Sequence, residues 1–260
     1  MWKILPPEER KKFNWEKYEQ SSEFLHMKRS ADNGDIESQR SLGFYYDDKA
    51  FRSDDMDKSD KDKSVKYFTL AANSNDAEAC FRLGEVFEDG YNYSFNGKLS
   101  LNYYTKAAVL GHAGAMCSLA IIYERGWIGW EYSENKCYVM ENWSEAIRLY
   151  NESAKRGYAN AHSCLAKIYL DGKLLPQDLN KALLHEKKAI KLFQHLPESD
   201  DWYDVWEYDE WLLLGDIYLA MGNTNEARQA YLKGKDKNTN CKERLEELKK
   251  QKIKIYERNI

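Results

Sequence analysis

Proline is scarce in this 260-residue chain, with four in all, and none falls where the side-chain pattern is helical. Long helices therefore meet no built-in interruption. Long apolar runs are missing too. Met1 to Phe13 carries Lys3, Glu8, Glu9, Arg10, Lys11 and Lys12 around Pro6 and Pro7, unlike a secretory leader, and no later window reads as a membrane span. The expected location is cytoplasmic. Charge of one sign is lacking: the net value of −4 fits neither a nucleic-acid binder nor a polyacidic tail. The five cysteines (Cys80, Cys117, Cys137, Cys164, Cys241) share no spacing, which argues against a disulfide framework or a zinc site. Cys80, Cys117 and Cys164 read as small apolar residues within helices.

Chemistry is equally thin. No HExxH, P-loop, nucleophile elbow or dinucleotide loop occurs, and the five histidines form no i, i+4 pair. The run Asp55 to Asp60 imitates a calcium loop. However, Asp60 stands where that loop needs glycine and Lys66 where it needs a bidentate glutamate. A solvated, flexible loop is the expectation there. The chain is expected to hold no metal or cofactor and to be no enzyme.

What is abundant is one phrase, five times over. It reads Ser38-x-x-x-Leu42-Gly43-x-x-Tyr46, Ala79-x-x-x-Leu83-Gly84-x-x-Phe87 and Ala115-x-x-x-Leu119-Ala120-x-x-Tyr123. Two more copies follow: Ala161-x-x-x-Leu165-Ala166-x-x-Tyr169 and Glu210-x-x-x-Leu214-Gly215-x-x-Tyr218. The small residues share a helical face that another helix must approach closely. Repetition at this period means a solenoid, each unit burying its apolar face against its neighbours.

A second helix is expected after each phrase, over Asp62–Ala72, Lys98–Ala108, Glu141–Ala154, Asp178–Ala189 and Asn225–Gly234. Tyr67, Tyr104, Tyr150, His185 and Ala227 lead their i, i+4 pairs. Gly34, Gly111 and Gly157 mark turns before the phrase, and Gly90, Gly126, Gly172 and Gly222 turns after it. Uneven spacing leaves three insertions expected in loops: polar Asp47–Lys61, aromatic Trp127–Asn142, and acidic, aromatic Pro197–Trp211. Trp15, Tyr18, Ser22 and Leu25 form a stripe on an opening helix, and Leu245, Leu248 and Ile255 one on a Lys-rich closing helix. The reading is all-α: a right-handed superhelical solenoid of about five helix-turn-helix repeats over 31–234. A capping helix is expected in 1–30 and a basic one in 235–260.

The copies Ala108-Gly111-Ala115-Leu119-Tyr123-Gly126 and Ala154-Gly157-Ala161-Leu165-Tyr169-Gly172 resemble the Sel-one-like repeat family. The last unit, from Leu214 through Gly222 to Tyr231, is closer to a tetratricopeptide repeat. The resemblance implies binding of other proteins. It also implies an inner groove that the family's frame places, in the second unit, at Glu78, Phe81, Glu85, Glu88 and Asp89. Across five units these positions hold 11 acids, Glu124, Asp171, Asp209 and Asp216 among them, against 3 basic residues. Acids near a helix C-terminus oppose its dipole, so no local benefit is expected from them and a cationic protein partner is.

Aromatic side chains point the same way. Trp127, Trp130 and Tyr132 lie outside the repeat frame, and Trp202 sits in Glu198–Glu210, which holds seven acids and no Lys or Arg. Such rings can anchor arginine and lysine, whereas Trp206 and Trp211 read as packing for the last unit. Two roles stay open: a bacterial immunity protein that neutralises a basic toxin by occlusion, or a signalling or virulence adaptor joining two proteins. Neither involves nucleic acid or a membrane.

Overall fold

The computed structural model describes residues 2, 9, 12–50, 58–89, 95–128, 137–195, 203–236 and 238–258, and for 89, 203–209 and 251–258 the backbone only. Two short helices open it, α1 (Trp15–Glu19) and α2 (Ser22–Asp32). Five pairs follow: α3 (Ile36–Ala50) with α4 (Lys58–Asn73), α5 (Ala77–Asp89) with α6 (Gly97–Val109), and α7 (Ala113–Arg125) with α8 (Trp143–Lys155). Next come α9 (Ala159–Asp171) with α10 (Leu179–Phe193), α11 (Tyr203–Ala220) with α12 (Thr224–Gly234), and then α13 (Thr239–Arg258). The fold is an all-α helical-repeat solenoid. It divides into two compact units, Met1–Ser153 and Ala154–Ile260.

One register explains why the pairs form. The phrase supplies the first helix of each pair, and the second presents a buried small residue, a large side chain four later and another small residue three beyond. The fully buried small column is Ser64, Ser100, Ala146, Ala182 and Ala227. The large column is Phe68, Tyr104, Tyr150, Glu186 and Tyr231, all buried, with Phe68, Tyr104 and Tyr231 lying against Gly43, Gly84 and Gly215 on the first helix of their own repeats. Phe68 leaves no room for a side chain on Gly43, where an added β-carbon would stand 2.5 Å from two ring carbons. Within repeats, Ser100 Oγ donates to the Gly84 carbonyl at 2.7 Å, and Ser153 Oγ to that of Ala113, also at 2.7 Å. The i, i+4 spacing puts the large position of the fourth repeat at His185. It belongs to Glu186, because the column runs three residues before Ala189 rather than four.

The turns before the phrase use a left-handed residue. Gly34, Gly111 and Gly157 adopt it with φ of 92°, 93° and 82°, and Asn75 takes the corresponding place with φ 63°. Asparagine tolerates this region far better than branched residues do.

Three expectations are corrected. The opening stripe is split between two helices, because Ser21 caps a new start by accepting from the Phe24 amide at 3.2 Å. The rotation buries Phe24 and Met27 and leaves Leu25 exposed. The Asp47–Lys61 insertion is helical at both ends, with only 51–57 outside the described residues. Asp60 is buried rather than solvated, held by Lys63 at 2.8 Å and Lys49 at 3.6 Å. Lys49 also meets Glu19 at 2.6 Å, Lys61 meets Asp47 at 2.5 Å, and Trp2 Nε1 donates to Asp48 at 2.8 Å. Finally, the acidic aromatic stretch is helical from Tyr203 onward, as the start of α11.

The aromatic insertion contains a hairpin of β1 (Trp127–Ile128) and β2 (Cys137–Tyr138), paired antiparallel with Trp127 opposite Tyr138. Ile128 is core, packed with Cys137 where Gly97 opens α6. This insertion is therefore partly built into the repeat frame that the sequence placed it outside.

Candidate protein-binding surface

On α5, Glu78, Arg82 and Glu85 follow at i, i+4 and i+7, which sets them on one helical flank. Arg82 Nε donates to Glu78 at 2.9 Å and Arg82 Nη1 to Glu85 at 3.1 Å. The guanidinium also lies 5.2 Å from the Phe44 ring centre and 5.8 Å from that of Phe81. Arg82 is not one of the family's groove positions, so the count of groove acids passed it over. The acidic flank has a cation at its centre, and the Glu–Arg–Glu spacing was the readable sign of it.

Glu78 has a second partner. The Ala115 amide donates to His112 Nδ1 at 3.1 Å, so Nε2 carries the proton and donates to Glu78 Oε2 at 3.0 Å. Burial alone would raise the Glu78 pKa. The His112 hydrogen bond and the Arg82 charge outweigh it and lower the value to about 2.

The acids near the helix ends do find a local benefit, contrary to expectation. Tyr104 Oη donates to Glu88 at 2.6 Å, Tyr150 Oη to Glu124 at 2.6 Å and Tyr231 Oη to Asp216 at 2.7 Å. Each phenol comes from the buried large column, and a buried hydroxyl needs an acceptor. The acid supplies one where the ring reaches the surface. Asp216 also receives Arg244 at 3.2 Å.

The remaining sequence-selected residues are dispersed. Asp171 is exposed at the end of α9. Asp89 closes α5 and Asp209 lies in α11, their side chains outside the described residues. Trp127 is half-buried in β1, with the Arg125 guanidinium 5.7 Å from its ring. Trp130, Tyr132 and Trp202 lie outside the described residues. Beside the hairpin, Tyr138 and Met140 are strongly exposed. Trp211 packs against Leu214, Ile190 and Ala230 under Lys233, as its packing role required.

Sequence reasoning missed two clusters in the second unit. His162 Nδ1 and His185 Nδ1 are 2.9 Å apart, joining α9 to α10 although 23 residues separate them. Glu186 is buried beside Glu210. Neither was legible from spacing along a single helix. Among the described residues, no three His, Cys, Asp or Glu side chains are arranged to hold a metal, and no helix is long and apolar enough to cross a membrane.

Paired helices in this register, with carboxylates on their flanks, define a helical-repeat scaffold of the protein-interaction class. The Sel1 repeat model matches residues 36–76, 77–112, 113–158 and 160–194, and the chain belongs to the Sel1 repeat family. It is 29% identical over 133 residues to "Chitin synthase regulatory factor 4" of Schizosaccharomyces pombe, covering 51% of this chain and 18% of that protein. The chain thus spans under a fifth of that relative. Among solved structures it resembles c5321, a protective antigen of uropathogenic Escherichia coli with an SLR fold. The TM-score is 0.64 at 18% identity, over 87% of this chain and 44% of that one. A Sel1 repeat protein from Oxalobacter formigenes gives 0.59 at 22% identity, over 78% and 72% of the two chains.

Proposed function

We propose that this chain is a non-enzymatic scaffold that binds a basic protein through the carboxylates of its phrase helices, those of α5 foremost. The observation that carries this reading is the fixing of Glu78, Glu85 and Glu88 by donors from the fold itself. A carboxylate already held in place loses little further freedom when it receives a lysine or arginine. Arg82 offsets part of the charge, so the flank selects by the geometry of its acids as well as by their sign.

Two roles follow from such a surface. One is occlusion, in which the scaffold covers a cationic toxin as an immunity protein would, with Trp127, Trp130, Tyr132 and Trp202 as anchors. The other is adaptor work, favoured by the regulatory role printed in the name of the fission-yeast relative.

The test begins with the partner that co-purifies from the native cell. Reversal of Glu85 to Lys is expected to slow its association at low salt and to flatten the salt dependence. Unchanged association of a partner identified in this way overturns the acidic-surface reading. Replacing Trp130 with Ala then separates the roles. Occlusion predicts at least about tenfold faster dissociation, as for a central hot spot, whereas an adaptor keeps modest affinity and two separable partners.

A further inference from the structure

In the large column of the repeats, four units place an aromatic ring and the fourth places Glu186. At the first position of the phrase, four units place Ser or Ala and the fifth places Glu210. These two exceptions meet each other. Glu186 lies on α10 and Glu210 on α11, helices that pack together within the second unit. Their exposures are 0% and 3%. No donor among the described residues reaches either oxygen of Glu186, and the group in hydrogen-bonding range is the Glu210 carboxyl.

Two ionised carboxylates in contact here would be repulsive, desolvated and unable to donate to each other. A single proton turns the same pair into an O–H donor and an anionic acceptor, among the stronger hydrogen bonds available to side chains. We propose that Glu186 and Glu210 share one proton, and that this proton is the latch holding α11 and the last repeat on α10.

Among the described residues, no cation is found acting on Glu186. From α9, the group acting on Glu186 is the Cys164 thiol, and from α11 it is Glu210. Several of the described titratable groups on these helices have partners of their own. His162 of α9 faces His185, Lys181 lies over Tyr169, Lys187 over Tyr218, and Asp216 takes Tyr231 and Arg244. Lys188 acts on the two histidines. Burial first, then the hydrogen bond and charge of Glu210, hold the Glu186 acid well above the usual carboxylate range. Its folded-state pKa is raised, so its contribution is complete below the ordinary carboxylate value and disappears as pH rises through the folded one. On opening, the proton passes to solvent base and the two carboxylates separate into water. Since α12 packs on α11 and α13 on α12, these elements leave together while α9 and α10 stay paired.

Amide hydrogen exchange of the full chain, followed from about pH 5 to about pH 9 with intrinsic exchange rates divided out, reads the opening of α11–α13 directly. The expected result is an opening constant that rises up to about tenfold per pH unit between the ordinary carboxylate value and the folded pKa, the limit for one proton, and levels off above it, in α11–α13 and not in α9. Glu186→Gln, which keeps a donor at every pH, removes the slope. Glu186→Tyr with Glu210→Ala restores the ring and small residue of the other repeats, and removes it as well. Cys164→Ser leaves it in place. A flat wild-type profile, a slope that survives in the double variant, or one that vanishes with Cys164→Ser overturns the latch. If Glu186→Gln fails to fold, the double variant decides alone.

Discussion

Gly84 lies beneath the ring of Tyr104 so closely that an added β-carbon would stand 2.5 Å from Cδ1 and Cε1. The two residues share one space, and the helix pair α5–α6 closes only because one of them has no side chain. Gly84→Ala is therefore expected to destabilise the first unit by roughly 1–3 kcal/mol, the usual cost of overpacking, and Gly84→Leu by more. Urea unfolding measures it. A second change that shortens the ring, Tyr104→Leu, should recover part of the loss, whereas simple additivity of the two would contradict the shared-space account.

The phenol–carboxylate bonds make a different claim. Reversal of Glu88 to Lys should cost stability, because the Tyr104 hydroxyl loses its acceptor; a hydrogen bond to a charged group contributes about 1.5–3 kcal/mol. Tyr104→Phe removes the donor and leaves a half-exposed acid that water can serve, so its cost should be smaller. A melting temperature unmoved by Glu88→Lys would return this acid to a purely surface role.

Acid should act on Glu78. Its folded-state pKa is lowered to about 2, so its contribution is present above the ordinary carboxylate value and lost as pH falls through the folded one. In Glu78→Gln the first unit should therefore lose less stability than wild type between about pH 4.5 and pH 2. Chemical denaturation at fixed pH values gives the comparison, and parallel curves would refute the coupling to Arg82 and His112.

The histidine pair predicts a second acid sensitivity, in the other unit. Burial, and then His162 with Lys188, depresses the His185 pKa to about 4, while burial and Lys188 lower that of His162. Both histidines are neutral in the fold, and the unfolded chain takes up protons below about pH 6.5. Stability should thus fall as pH drops from there toward about 4. His185→Phe, which keeps an aromatic beside Tyr169, should flatten that decline. Imidazole resonances followed by NMR would report the two titrations, and an ordinary midpoint for both would refute the prediction.

How much of this was legible follows from where each signal resides. The phrase around Leu83 and Gly84 is local and periodic, so the helix pairs and the turn glycines Gly34, Gly111, Gly126, Gly157, Gly172 and Gly222 could be read in advance, while Gly90 lies outside the described residues. Glu186 could not. Its neighbour His185 is one residue away and equally compatible with a helix, and only packing across α9 and α11 decides which of them faces inward. The acids at the helix ends were located correctly but misjudged, because nothing in their own sequence shows that a tyrosine 16 or 26 residues on, as in Tyr104–Glu88 and Tyr150–Glu124, will reach them. Asp60 was misread for the same reason, its lysine partners being on the helix before it as well as on its own.

Two phrase helices of the first unit, α5 and α7, start on a side chain with two tasks. Asp76 accepts the Ala79 amide on one oxygen at 2.8 Å and the Arg40 guanidinium on the other at 2.5 Å. His112 likewise uses both nitrogens, accepting from the Ala115 amide at Nδ1 and donating from Nε2 to Glu78. A single side chain is therefore both the first peg of its own helix and the rivet to the repeat before. Neither task can be relaxed alone, so the joints of the first unit should yield as whole hinges. Loss of one such residue would unfasten two repeats at once, which makes these short polar positions, rather than the large rings, the seams along which the array comes apart.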